Sequence, residues 1–206
     1  MARQAHTALT AGTSSEGRVS GYVLKVIRES TGRTQQQLAE RLGVGVATIQ
    51  GWESGRRPLM AMPTGSFLAL QTRLRGLGAG PGLLDTLTEA VAADLFIGQA
   101  LATPHHAADP AGHLLSTWVI TRPFTETAAW PIGGKPPRRL ERTAHKALRR
   151  GPVPAGPQLG ADERRHVITH MQAIAERADR RTTDGLLLAR QAYYLIGFDA
   201  SPETMA

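Results

Sequence analysis

The sequence predicts an all-α protein in two parts. Apolar residues recur at helical spacing in five separate segments of the first hundred residues, and two more seams of the same period occupy the last fifty. A single run, LLSTWVIT, has the β-branched and aromatic make-up of a strand. At 206 residues and 41% apolar content, the chain has enough material for real cores.

Residues 1–17 are small and polar without a period, and are expected to form a flexible arm. GYVLKVIREST then puts Tyr22, Val23, Val26 and Ile27 on one helical face and stops at Gly32. Thr34 can cap a second helix, with Leu38, Ala39 and Leu42 inward and Gly43 as its end. A third begins near Gly45 and turns Ile49 and Trp52 inward. A fourth helix is expected from Gly65 to Gly76 and a fifth from Leu83 to about Leu101, with a turn over Gly78 to Gly82 between them. These five make one domain over residues 18–103.

Residues 104–206 are expected to be mainly helical. LLSTWVIT reads as a short strand or the start of a buried helix, and Pro131, Gly133, Gly134, Pro136 and Pro137 are expected to break any regular element before RRLERTAHKALRR. That segment reads as a basic amphipathic helix, followed by a Pro/Gly linker. A long helix from Asp162 to about Arg181 carries Val167, Ile168, Met171, Ile174, Ala175 and Ala178 as one seam, and Thr183 or Asp184 can cap a last helix, GLLLARQAYYLIGF. Helical hairpins of this kind often pair across a two-fold axis, which nominates Ile168, Met171, Ile174, Leu187, Leu188 and Tyr194 for a homodimer interface.

The formal net charge of +7 favours polyanionic partners, although 21 Arg against 3 Lys also carries the mark of a GC-rich coding genome. Lys135, Arg138, Arg139, Arg142, Lys146, Arg149 and Arg150, with Glu141 the lone acid among them, form a candidate second basic surface; the bland reading is a solvated helix face. There is no cysteine, no apolar run of membrane-spanning length and no charged-then-apolar leader, so a cytoplasmic location is expected. No Ser/His/Asp arrangement, P-loop or dinucleotide fingerprint is present, so neither an enzyme nor a cofactor is expected.

His166 and His170 lie four apart on a helix, and His105, His106, Asp109 and His113 share a loop. Neither set has the fixed partners of a metal site, and no metal is assigned. Arg177, Asp179, Arg181 and Asp184 read as helix-end charges and a cap. Trp118, Phe124 and Trp130, with Leu114, Leu115, Val119 and Ile120, read as core packing, with an effector pocket as the other reading.

The stretch TQQQLAERLGVGVATIQGWESGRRP has the spacing of two helices crossing at a tight turn: small Ala39 within the first, Gly43 at the turn, and Ile49 and Trp52 anchoring the second. With Arg28, Gly32, Thr34-Gln35, Leu38-Ala39, Leu42-Gly43-Val44, Thr48-Ile49, Trp52-Glu53, Gly55, Arg56-Arg57 and Pro58, residues 19 to about 77 resemble the Cro/C1-type, or XRE, helix-turn-helix regulators. The resemblance implies a lambda-repressor-like five-helix domain that binds double-stranded DNA. It implies a phosphate contact from Gln35 and an internal ion pair between Arg28 and Glu53; Thr48, and Arg56 and Arg57 just past the reading helix, are further phosphate candidates, followed by Arg33 and Lys25.

The same resemblance makes Gly45, Val46, Ala47, Gln50 and Gly51 the base-facing positions, and here the chain departs from what a reading helix usually carries. Only Gln50 can form directional hydrogen bonds, to adenine; Val46 and Ala47 can meet thymine methyl groups, and Gly51 reads nothing but lets the helix sit closer. The expected function is a nucleoid-associated transcription regulator, a repressor before an activator, binding an inverted repeat as a homodimer under an effector the sequence does not identify. The rival is an interaction protein, such as an antitoxin, that keeps the fold for protein contacts.

Overall fold

The computed structural model describes residues 17–117, 119–140 and 156–198, and among these the regular structure is helical, with no strand. The helices are α1 (Arg18–Ser30), α2 (Gln35–Leu42), α3 (Val46–Glu53), α4 (Thr64–Gly76), α5 (Pro81–Ala102), α6 (Leu114–Thr117), α7 (Arg122–Gly133), α8 (Ala161–Arg177) and α9 (Thr183–Ile196). Single 3-10 turns occupy Leu59–Ala61 and His105–Ala107. Residues 1–16 of the expected arm, Trp118, and Arg142, Lys146, Arg149 and Arg150 lie outside the described residues.

The 22-residue α5 is the central strut, touching α1 and α4 on the N-terminal side and α7 and α8 on the other. Leu87, Ala90, Ala93 and Phe96 along it are fully buried, and the core runs without interruption from Val19 on α1 to Leu195 on α9. Of its three acidic residues, Asp85, Glu89 and Asp94, one lies in the core. Asp94 is buried, and its Oδ1 and Oδ2 accept the backbone N–H groups of Val19 and Ser20 at 2.9 Å each. The N-cap of α1 is Gly17, which has no side chain to satisfy the first N–H groups of the helix, so a carboxylate 75 residues away does so.

LLSTWVIT begins as the short helix α6, not as a strand. Phe124 and Trp130 are core residues, the indole meeting the Tyr22 ring edge-on at 5.1 Å, whereas Val119 is 70% exposed and takes no part. The expected break before residue 138 is corrected by α7, which runs through Pro131. Pro123 sits in the first turn, where its missing N–H would be unpaired anyway, and Thr121 Oγ1 caps the helix by accepting from Phe124 N. Pro131 falls in the last turn and removes one helical bond there; its carbonyl accepts from Leu159 N at 3.0 Å, and Gly134, at φ 71°, ends the helix.

The cap of α9 is Thr182, whose Oγ1 accepts from Gly185 N, one residue earlier than expected. Buried Gln191 ties α9 to α6 and the segment after it: its Nε2 donates to Leu115 O at 2.8 Å and its Oε1 accepts from Ile120 N at 2.6 Å.

Candidate nucleic-acid interface

Local sequence sets the two reading helices. Thr34 Oγ1 accepts from Gln37 N at 3.2 Å, and Gln37 Oε1 accepts from Thr34 N at 2.9 Å, a reciprocal cap that starts α2. Gly43 ends it at φ 66°, a conformation that a side chain would strain. Arg73 from α4 donates to Leu42 O at 2.6 Å, satisfying a carbonyl at the end of α2; the sequence reading passed over this arginine. α3 follows after three residues, Gly43 to Gly45, with Ile49 fully buried beneath it.

The angle between the helices is held by Glu53 at the end of α3. Its Oε1 accepts Arg28 Nε at 2.6 Å, and its Oε2 accepts Arg28 Nη2 at 3.1 Å and Gln35 Nε2 at 2.8 Å. One carboxylate thus joins α1, the start of α2 and the end of α3. Gln35 spends its side-chain amide on this carboxylate. Arg28 Nη1 donates to Arg33 O, and Arg33 Nη1 to the carbonyls of Thr31 and Leu77, so Arg33 fastens loop backbone.

Gly21 lets α1 approach α3 closely. A Cβ at this position would press on the Trp52 carbonyl oxygen and lie 2.9 Å from that of Glu53. Gly21→Ala is therefore expected to cost roughly 1–3 kcal/mol by overpacking against backbone, although alanine is the better helix former. Urea unfolding of the two proteins checks this, and equal midpoints would refute it.

On the outward face of α3, Gly45, Ala47 and Gln50 are exposed, Val46 and Thr48 are half-buried, and Gly51 is buried. What covers Gly51 includes the Arg57 side chain. Arg56 is exposed, with Nε 3.2 Å from Ser54 Oγ, and Lys25 Nζ lies 5.8 Å over the Tyr22 ring.

The other nominated residues are dispersed. Arg138 pairs with Glu126 at 3.6 Å, and Arg139 with Glu89 at 3.3 Å and Asp85 at 3.9 Å, while Lys135 is exposed. Ile168, Met171, Ile174 and Leu188 are buried within the chain, where α8 packs on α9 and α5; Leu187 is half-buried, and Tyr194 is exposed. His166 Nε2 faces Thr103 O at 3.2 Å, and buried His170 lies beside buried His113, their rings 5.6 Å apart. Arg177 Nη1 donates to the carbonyls of His106 and Ala108. Between α7 and the end of α9, a cavity of about 530 Å³ is lined by Arg122, Glu126, Lys135, Arg138, Tyr194 and Phe198, among others.

A capped helix, a three-residue turn, and a second helix braced from behind with an exposed outer face define the helix-turn-helix class of DNA-binding domains. Residues 24–62 match the family model described as helix-turn-helix, and this segment is a Cro/C1-type, XRE-family helix-turn-helix, the domain of a family of DNA-binding transcription regulators. No curated protein and no solved structure matches the chain. Among the described residues, no helix is long and apolar enough to cross a membrane.

Proposed function

We propose that the protein is a homodimeric repressor that places α3 of each protomer in successive major grooves of an inverted-repeat operator, about 34 Å apart. The observation that carries this is the outward face of α3, where Gly45, Ala47 and Gln50 are exposed, held by the Glu53 brace and followed closely by Arg56 and Arg57. Gln50 pairs with adenine while Val46 and Ala47 meet thymine methyl groups, so each half-site contributes modestly and the dimer's spacing supplies the rest. Thr48, Arg56 and Lys25 serve the phosphates, with the first-turn N–H groups of α2 replacing the engaged Gln35 amide.

The dimer contact belongs on the outer face of α9, where Leu186, Tyr193 and Tyr194 are each about half exposed, since the α8 seam is already filled. The cavity under Tyr194 fits an effector, and the protein works in the cytoplasm on the nucleoid. The exposed α9 face also favours the second reading, an interaction protein whose partner is a different chain.

Selection of fragments from random and genomic DNA by the purified protein, at two salt concentrations, separates the two readings. A recurrent palindrome that survives the higher salt is expected. Absence of a motif, or binding that collapses with salt, moves the function to protein partners.

Because Arg138 and Arg139 already face carboxylates of their own chain, replacing both by alanine is expected to change the slope of log K against log salt by less than ~1. Arg56→Ala alone is expected to change it by ~1. Titrations at four salt concentrations check both; a change of about 2 for the double variant would place that surface on DNA.

A further inference from the structure

Gly51 stands in the middle of α3 at helical φ, so its backbone conformation does not require glycine, and glycine is the poorest helix former after proline. The space above it is tight. A Cβ at Gly51 would sit 3.1 Å from Arg57 Cγ and Cδ and 3.4 Å from Arg57 Cβ, so the arginine stem lies flat across this position. Arg57 N donates to Gly51 O at 2.9 Å, which pins the root of the stem. Its Nη1 reaches Thr48 Oγ1 at 3.4 Å, one turn back toward the end of α3 that enters the groove. By contrast, a Cβ at Gly45 would meet only Thr48 Oγ1, at 3.9 Å.

We propose that Arg57, laid across Gly51, is the principal base-reading side chain of this domain. The reading position that Gly51 leaves empty is filled from the loop after the helix, by a side chain folded back over it. Guanidinium has five N–H donors in a fixed fork; Thr48 engages one side of it, and the fork matches O6 and N7 of guanine. The operator half-site therefore contains one guanine beside the A·T pairs met by Gln50, Val46 and Ala47. Arg56, which lies beside Ser54 and not over α3, is left as the phosphate contact.

This inference rests on the DNA-binding reading, and the test separates the two. Affinities of the full-length wild type, Arg57→Ala, Arg57→Lys and Gly51→Val are measured on the selected site and on variants carrying each base change, at fixed salt, with circular dichroism to confirm folding. In the wild type, replacing the guanine is expected to weaken binding roughly 5- to 150-fold. Arg57→Ala should erase that penalty, and Arg57→Lys, which keeps the charge but loses the fixed fork, should reduce it. Gly51→Val should erase it with Arg57 still present. If Arg57→Ala weakens all sequences alike, lowers the salt slope by ~1 and is rescued by lysine, Arg57 is a phosphate contact and the inference falls while DNA binding stands. A wild-type motif without guanine also overturns it. A wild type that binds no DNA overturns the functional reading itself.

Discussion

Glu53→Ala is expected to destabilise the protein by roughly 3–5 kcal/mol, because it strands a buried guanidinium instead of removing an isolated surface pair. The Glu53 side chain is 5% exposed and that of Arg28 11%, so water cannot take the carboxylate's place without opening the junction of α1, α2 and α3. Arg28 keeps its bond to the Arg33 carbonyl and a 3.5 Å contact with Glu29, neither of which replaces the two-pronged pairing. Gln35 loses its acceptor in the same step. Arg28→Leu in the Glu53→Ala background should recover part of the loss, since an apolar pair does not carry the desolvation cost of the stranded charge. Urea unfolding of the two single variants and the double gives the coupling, and a loss below 1 kcal/mol for Glu53→Ala would refute the argument. DNA affinity should fall further than stability predicts, because the same carboxylate sets the angle at which α3 is presented.

How much of this was legible in the sequence depended on how far apart the cooperating residues lie. The reading head was visible because its determinants are local: Thr34 and Gln37 cap each other three residues apart, and Gly43 needs only its own φ. The boundaries of α4 and α5 came within two residues of expectation for the same reason. α7 was hidden because Pro131, Gly133 and Gly134 read as breakers, and nothing nearby says that this proline falls in a last turn, where one lost bond is tolerable. The α8 seam announced that it is covered but not by what, and α9 and α5 of the same chain cover it. Gly51 looked like a lost finger, because the residue that occupies its space is six positions on and belongs to a loop. Asp94 had one faint signal, a lone carboxylate on the stripe of Ala90, Ala93 and Ile97, but its partners are some 75 residues away.

That carboxylate gives the second large effect, and its sign is opposite to that of an ordinary ion-paired aspartate. Burial pushes Asp94 up from 3.8 to about 6, against the opposing pull of the N–H groups of Val19 and Ser20. A group whose folded value lies above its unfolded value contributes stability that is fully present below about pH 4 and is lost as pH rises through about 6, here about 3 kcal/mol. His113 works the other way in the same window. Burial first, and then the neighbouring His170, lower it from 6.5 to about 4, so it withdraws stability as the solution is acidified. The wild-type curve alone therefore conceals the Asp94 contribution, and the comparison needed is with Asp94→Asn. The amide can accept from one of the two N–H groups but turns a donor toward the other, so the variant should be less stable than the wild type at pH 4. As pH rises to 7, the gap should narrow by about 3 kcal/mol, because only the wild type acquires a buried charge. Urea unfolding of both proteins from pH 4 to pH 7 measures this gap directly, and parallel curves would refute it. Since α1 packs on α5 at one face and on α3 at another, with Gly21 at the second contact, whatever loosens this cap reaches the reading helix through a single rigid element.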